Sequence, residues 1–156
     1  MDEPILSVTD LKKTYGAIRG CKNISFDIWP GEVLAVVGES GSGKSTVLNC
    51  TSARLEPDAG TVRYATRCDG LKNIFDMSEP ERRFLMRTDW GFVHQNPRDG
   101  LLMDMSAGAN IGERLMAVGE RNYSTIRADA GDWLGRVECD LARIDDLPTR
   151  FSGGRQ

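Results

Sequence analysis

The chain has 156 residues, of which 40% are hydrophobic and 28% are charged, and this balance is typical of a soluble globular domain. The net charge of -3 and the pI of about 5.2 argue against a broad nucleic-acid-binding surface, so no nucleic acid is expected as a partner. The N-terminus is acidic, and the longest apolar run, residues 33–37, is far too short to span a membrane. We therefore expect a cytoplasmic protein that reaches the inner face of a membrane only through a partner.

The first part of the chain is predicted to be rich in strands. Residues 5–8 favour a short strand, and residues 24–28 favour another because apolar and polar side chains alternate there. Residues 29–32 contain a Pro-Gly pair, which predicts a turn. Residues 33–37 are apolar on both faces, and this pattern predicts a strand buried in the middle of a parallel sheet.

A glycine-rich loop follows this predicted strand and leads into a helix. The helix is predicted over residues 44–55 and is ended by residues 56–60, which include a proline and a glycine. Residues 61–65 are predicted to form a further strand.

The second half of the chain is predicted to be mostly helical. One helix is expected to begin at Ser78, because Glu81 stands three residues later as in a capping box. Residues 90–94 favour a strand and residues 96–100 a loop, whereas residues 106–138 have helical character with one break. Strands first and helices later predict an α/β core with a helical subdomain.

The cysteines do not have the spacing of a zinc site, since no two of them form a C-x-x-C pair and His94 is the single histidine. We interpret them as small buried or half-buried thiols in a reducing compartment. They are Cys21, Cys50, Cys68 and Cys139.

Residues 38–45 match the phosphate-binding pattern G-x-x-x-x-G-K-[ST] in full. The glycines allow backbone N–H groups to turn towards a phosphate, and the following helix directs its positive end at the anion. Lys44 can reach the β- and γ-phosphates, and the hydroxyl of Ser45 can bind Mg²⁺. The predicted nucleotide-binding residues are Gly38, Glu39, Ser40, Gly41, Ser42, Gly43, Lys44, Ser45 and Thr46.

A phosphate loop is shared by kinases, GTPases and ATPases, so the flanking residues decide the class. Three further features occur in the order typical of ATP-binding-cassette (ABC) ATPases, which the chain resembles. Tyr15 precedes the loop, Gln95 follows a predicted strand, and residues 151–156 read F-S-G-G-R-Q, similar to the signature motif S-G-G-x-Q.

The resemblance implies a role for each of these residues. Tyr15 would stack on adenine, and Gln95 would contact Mg²⁺ and the attacking water. Lys44 and Gln95 would then be the catalytic residues, with Ser45 and Gln95 as metal ligands. In the signature motif, Ser152, Gly153 and Gly154 would face the γ-phosphate that a second subunit holds. The implied cofactors are ATP and Mg²⁺.

The resemblance also implies the fold. It is an α/β P-loop NTPase with an ABC-type core, an antiparallel β subdomain and a helical subdomain. We expect residues 1–96 to form the β subdomain and P-loop core, and residues 97–156 the helical subdomain up to the signature motif. In the family the Walker B aspartate and the catalytic glutamate follow the signature, so we expect the C-terminal part to be missing and this fragment to be inactive in hydrolysis. Residues 33–37 would then lack cover from a strand of that part.

Within the family, residues 67–100 resemble the ABC-type subunit of the carbon–phosphorus lyase system for phosphonate use. The alternative is the ATPase of an oligopeptide or dipeptide importer, whose phosphate loop often reads G-E-S-G-S-G-K-S-T, as residues 38–46 do here. The sequence Asp89-Trp90-Gly91 favours the first group, and Arg155 departs from its pattern.

The two groups imply different partners. Both imply a second ABC subunit, with ATP bound between the two. The first group adds a carbon–phosphorus lyase core complex, and the second adds a membrane permease. Residues 97–110 would form the docking surface, where Leu102, Met103 and Met105 are either adaptable contacts or helix core. The chain is thus expected to be an ATPase subunit or, alternatively, a non-catalytic fragment of one.

Overall fold

The computed structural model describes residues 3–67 and 69–152. The chain packs as two compact units, Met1–Met86 and Arg87–Gln156. The predicted assignment of residues 1–96 and 97–156 to family subdomains remains a prediction.

The first unit is built around a four-stranded antiparallel sheet in the order β2-β1-β3-β4. The strands are β1 (Leu6–Tyr15), β2 (Ile18–Ile28), β3 (Ala59–Thr66) and β4 (Gly70–Asn73). The predicted strands at residues 5–8, 24–28 and 61–65 are confirmed, and each is longer than its sequence pattern indicated. One face of the sheet is apolar, and its buried side chains include Val8, Leu11 and Val62.

Two helices belong mainly to this unit. Helix α1 (Lys44–Thr51) packs on β1 and β2 and buries Cys50 completely. It ends four residues before the predicted end, and Ala53 has a left-handed backbone with φ 59°, which a helix cannot continue through. Helix α2 (Glu79–Thr88) follows Ser78. The carboxylate of Glu81 accepts hydrogen bonds from the Ser78 N–H at 2.8 Å and from its hydroxyl at 2.6 Å, as expected for a capping box.

Two predicted strands are wrong for the described residues. Residues 33–37 and 90–94 both lack strand pairing within residues 3–67 and 69–152. Their valines face solvent, since Val33 is 93%, Val37 87% and Val93 91% exposed. An apolar run becomes a buried strand only where neighbouring strands lie on both sides, and the antiparallel sheet of the first unit does not supply them.

The second unit consists of α3 (Ala107–Ala117), α4 (Tyr123–Arg136) and three short 3-10 helices, Pro97–Gly100, Leu141–Arg143 and Pro148–Arg150. The predicted helical region with one break is confirmed, and Gly119 with φ 104° provides the break. Helices α3 and α4 pack closely at Gly112, where a Cβ would lie only 2.4 Å from Ile126 Cγ2. The core of this unit contains Ala130, Leu134, Cys139, Ile144 and Phe151.

The segment before α3 is held by a single amide side chain. Asn110 accepts a hydrogen bond from the Leu102 N–H at 2.8 Å and donates to the carbonyl oxygens of Leu102, Met105 and Ser106 at 3.0 to 3.2 Å. Leu102 and Met105 lie outside α3 and are exposed, so the interpretation of these two residues as helix core is wrong. Among the described residues, every helix is too short or too polar to cross a membrane.

Candidate nucleotide-binding site

The loop of residues 38–43 joins the exposed segment 33–37 to helix α1. The geometry requires a glycine at position 43. Gly43 has φ 93° and lies against the backbone of β2. A Cβ on Gly43 would lie 1.8 Å from the carbonyl oxygen of Gly20, which is far inside contact distance. Gly41, with φ 81°, has no atom within 4 Å of the position of a Cβ, so the space above this part of the loop is open.

The start of α1 lacks an anion of its own. Gly43 is the N-cap and offers no side chain, and no acidic residue lies in the first turn. Val47 donates the first helical hydrogen bond to the Gly43 carbonyl at 2.9 Å. The helix therefore supplies no acceptor for the N–H groups of residues 44–46, and these groups together with the helix dipole favour a bound anion.

Lys44 lies over the same loop. Its Nζ donates to the carbonyl oxygens of Gly38 at 2.9 Å and Glu39 at 2.6 Å, and lies 3.4 Å from Ser42 Oγ. These contacts hold a positive charge on the loop that leads into α1. A cation next to a helix start without a side-chain cap suits a phosphate group.

A magnesium ion also fits this site. The described residues contain no cluster of three or more His, Cys, Asp or Glu side chains that could bind a metal alone. Mg²⁺ bound with a nucleotide needs only one or two protein ligands, because the phosphates supply others. Ser45, in the first turn of α1, is exposed and can provide a hydroxyl ligand.

Tyr15 lies at the end of β1 beside this loop. Its ring is 48% exposed, and its hydroxyl lies 3.4 Å from Thr46 Oγ1 on α1. The ring covers Gly20, since a Cβ there would lie 2.8 Å from Tyr15 Cε2 and 2.9 Å from Thr46 Cγ2. The structure thus places Tyr15 beside the helix that follows the phosphate loop and adds Gly20, which the sequence pattern did not single out. An exposed aromatic face next to a phosphate site is suited to stacking on a base.

The comparisons with known proteins agree with this geometry. The ABC transporter family model matches residues 21–156. The chain belongs to the ABC ATPase family.

Individual relatives support the same assignment. The phosphonates utilization ATP-binding protein PhnK of Escherichia coli K12 is 55% identical over 100% of this chain and 60% of its own length. The dipeptide transport ATP-binding protein DppD of Bacillus subtilis is 28% identical over 97% of this chain and 47% of its own length.

A solved structure of a dimeric ATP-binding cassette in a post-hydrolysis state, bound to ADP and Pi, has a TM-score of 0.82 and 28% identity. It is matched over 96% of this chain and 64% of its own. The resemblance to ABC ATPases and the α/β P-loop fold class are therefore confirmed. The chain spans less than two thirds of the length of these relatives.

Other residues predicted for the ABC ATPase site lie in the second unit. Gln95 is exposed and follows residues 90–94, the segment that lacks strand pairing. Ser152 is exposed and follows the buried Phe151. Gly153 and Gly154 lie outside the described residues. The roles of these four residues in the ABC ATPase site remain predictions.

Asp58 belongs to the surroundings of Tyr15 and was not predicted. Its carboxylate accepts hydrogen bonds from Lys13 Nζ at 2.8 Å, from the Thr14 N–H at 2.7 Å and from the Thr14 hydroxyl at 2.6 Å. These bonds hold the pKa of the Asp58 carboxyl well below its usual range, the Lys13 ammonium being the first cause. No sequence motif signals this contact, because Asp58 and Thr14 are far apart in the chain and meet only through the pairing of β1 with β3.

Two thiols lie beneath α1. Cys21 on β2 and Cys50 on α1 are both free and buried. Burial raises the pKa of the Cys50 thiol to about 11 and also raises the pKa of Cys21. Cys139 is buried as well, which confirms that these three cysteines are buried thiols, and Cys68 lies outside the described residues.

Proposed function

We propose that this chain binds Mg-ATP, with the phosphates on residues 38–46 and the adenine on Tyr15. The observation that carries this proposal is the geometry at the start of α1. There a left-handed Gly43 begins a helix that has no side-chain cap, and the ammonium of Lys44 lies on the loop just before it. Lys44 would neutralise charge on the β- and γ-phosphates, and Ser45 would contribute a hydroxyl to the magnesium ion.

For the whole protein, we propose an ATPase subunit that couples ATP binding and hydrolysis to phosphonate utilization. The support is the 55% identity to PhnK over the full chain, together with Asp89-Trp90-Gly91 in the tract that favoured this group. In that role Gln95 would contact the metal and the water. Ser152 and the two glycines after it would act on ATP held by a second ABC subunit.

The proposed partner is a carbon–phosphorus lyase core complex, and its docking surface includes Leu102 and Met105. Both side chains are exposed on a segment whose backbone is fixed by Asn110. Exposed apolar side chains on a fixed backbone are better suited to contact with a protein partner than to contact with solvent.

A second candidate function is that of an importer ATPase that docks on a membrane permease. The similarity to DppD favours it, although the identity is only 28% compared with 55% for PhnK. The two candidates differ in the growth defect that the protein would correct.

The experiment is complementation in Escherichia coli. The gene that contains this chain is expressed in a strain lacking PhnK, with a phosphonate as the single phosphorus source. We expect growth, and we expect no growth with Lys44→Ala at equal protein level. A parallel strain lacking a dipeptide importer ATPase, grown on a dipeptide as the nitrogen source, tests the second candidate.

Three results are informative. Growth of only the phosphonate strain supports the first candidate, and growth of only the dipeptide strain replaces it with the second. Growth of the phosphonate strain with Lys44→Ala would show that ATP turnover at this loop is not required, and the proposed role of the loop would be wrong.

A further inference from the structure

The adenine-facing side of the site depends on more than Tyr15 itself. Tyr15 is the last residue of β1 and is followed by Gly16 with φ 61°, so the strand turns away immediately after the ring. The position of the ring therefore depends on the residues just before it and on the pairing of Tyr15 with Ile18 of β2.

The ordinary strand pairing is irregular at these residues. The register between β1 and β2 shifts between Leu11 and Lys13 and again between Lys13 and Thr14. The register between β1 and β3 ends at the pair Lys12–Ala59. Thr14 and Tyr15 remain paired with Arg19 and Ile18 of β2, so the edge that still requires a bonding group is the one that faces β3.

Asp58 is that group. Its backbone N–H donates to the Lys12 carbonyl at 2.8 Å, and its carboxylate accepts from the Thr14 N–H at 2.7 Å. These two bonds hold the backbone on either side of Lys13. The carboxylate is also bonded to Lys13 Nζ and the Thr14 hydroxyl, so one residue makes four hydrogen bonds to residues 12–14.

On the far side of the ring, the Tyr15 hydroxyl lies 3.4 Å from Thr46 Oγ1 on the helix that follows the phosphate loop. Asp58 thus bonds to the strand that carries the ring, and the ring hydroxyl lies near α1, the helix that follows the phosphate loop.

We propose that Asp58 is a positioning residue for nucleoside recognition. It fixes the end of β1, so that the ring of Tyr15 is placed to stack on a purine whose phosphates are bound at the start of α1. This inference rests on the proposed nucleotide site. Asp58 itself does not contact the nucleotide and acts through Tyr15.

The ion pair with Lys13 supports this role. The Lys13 side chain is 17% exposed, so its ammonium is partly withdrawn from water and is held on Asp58. The pKa of Lys13 is raised and that of Asp58 lowered by their bond, so both groups remain charged throughout the neutral range.

The test compares two ligands that share phosphates and differ in the nucleoside. Binding of Mg-ATP and of Mg-tripolyphosphate is measured by calorimetry on the full chain. Stacking on an aromatic side chain contributes about 1–3 kcal/mol per base, so Tyr15→Ala should weaken ATP binding by about five- to 150-fold. Asp58→Ala should weaken ATP binding by about three- to tenfold, because it misplaces the ring without removing it. Neither substitution should change tripolyphosphate affinity.

A second measurement tests whether Asp58 acts through the ring. In a Tyr15→Ala background, Asp58→Ala should produce no further loss of ATP affinity. Glu81→Ala is the matched control, because Glu81 is a carboxylate of the same unit that also bonds a lysine and a backbone N–H, but at α2. It should leave the affinities for both ligands unchanged.

Asp58→Asn keeps an acceptor for the Thr14 N–H and removes the charge. This variant replaces Asp58→Ala in the test if Asp58→Ala does not fold. It should weaken ATP binding by a smaller factor than Asp58→Ala and leave the affinity for tripolyphosphate unchanged.

The possible outcomes separate the two proposals. Wild-type chain that binds neither ligand would overturn the nucleotide site and this inference together. If the wild type binds both ligands, the proposed phosphate site stands, and the inference is overturned by any of three results. The first is an equal loss of affinity for both ligands in the Asp58 variants. The second is an unchanged ATP affinity in these variants. The third is a loss of ATP affinity in the double variant that equals the sum of the losses in Asp58→Ala and Tyr15→Ala.

Discussion

Helices α1 and α4 begin in opposite ways. At α4, Asn122 accepts hydrogen bonds from the N–H groups of Ser124 at 3.0 Å and Thr125 at 3.2 Å. At α1, Gly43 has no side chain to offer, and the first turn has no acidic residue. One helix satisfies its first N–H groups from within the chain, and the other leaves them for a ligand.

The difference separates a helix start that its own chain caps from one without a side-chain cap, which we propose as a binding site. Helix α3 begins in the same way as α4, because the side chain of its N-cap, Ser106, accepts a hydrogen bond from the Ala109 N–H at 3.2 Å. At α1 the capping role is proposed to pass to phosphate, and Lys44 adds the charge that a phosphate requires. The predictions below test this distinction.

The largest effect is expected for Lys44→Ala. Hydrogen bonds to charged groups contribute about 1.5–3 kcal/mol, so losing the ammonium should weaken binding of both Mg-ATP and Mg-tripolyphosphate by more than about tenfold. Calorimetry measures both affinities. Lys22→Ala, on the exposed side of β2, is the control and should bind like the wild type. Wild-type affinity in Lys44→Ala would show that the loop does not use this charge.

The next effect concerns the backbone of the loop. Gly43→Ala forces a left-handed residue with a side chain and places a Cβ 1.8 Å from the Gly20 oxygen. A left-handed conformation alone costs about 1–2 kcal/mol for a residue with a side chain. The free energy of opening of the first unit should therefore fall by at least about 2 kcal/mol. Hydrogen exchange of β1 and β2 amides measures this change.

The control for the loop glycine is Gly135→Ala in α4. Its Cβ would meet no atom within 4 Å, and alanine is the better helix former by about 1 kcal/mol. The second unit should therefore be unchanged or slightly more stable. If both alanine variants behaved alike, the close approach of Gly43 to Gly20 would not be a feature of the protein in solution.

A smaller effect is expected for Asn122→Ala at the start of α4. Removal of a side-chain N-cap costs about 1 kcal/mol, and this loss should appear in the hydrogen exchange of α4. The affinity for ATP should not change, since this cap belongs to the chain and not to a ligand. A loss of ATP affinity in Asn122→Ala would contradict the division between capped and ligand-binding helix starts.

The smallest effect is the pH dependence at α2. The bonds from Ser78 lower the pKa of Glu81 from 4.5 to about 2, with the Lys72 ion pair as a further cause. A lowered folded pKa means that this contribution to stability is complete above pH 4.5 and is lost as the pH falls towards 2. Urea unfolding at pH 6 and pH 3 should show a smaller acid sensitivity in Glu81→Gln than in the wild type. Equal acid sensitivity would show that Glu81 does not carry this contribution.

The parts of the fold that depend on local pattern could be predicted from the sequence. Residues 38–45 follow a fixed spacing because a phosphate must be surrounded by backbone, and Ser78 with Glu81 follows the spacing of one helical turn. The antiparallel strands and the helical second half were also predictable from periodicity. Each of these features is decided by residues close together in the chain.

The features that could not be predicted depend on distant residues. Residues 33–37 have the composition of a buried strand, but a strand also needs neighbours, and the composition of one segment does not show whether they exist. Gly20 and Asp58 were missed for a related reason. The packing of α1 on β2 brings Gly43 to Gly20, and the pairing of β1 with β3 brings Thr14 to Asp58.

The thiol of Cys50 offers a built-in reporter for the nucleotide site. It is fully buried under the helix that begins at the phosphate loop, and its pKa of about 11 leaves ~1 thiol in 10,000 ionised at neutral pH. A thiol reagent can react only when α1 lifts from the sheet, so the labelling rate counts those openings. Any ligand that binds the start of α1 should slow the labelling in proportion to its occupancy. This reaction would follow occupancy of the site without requiring ATP turnover.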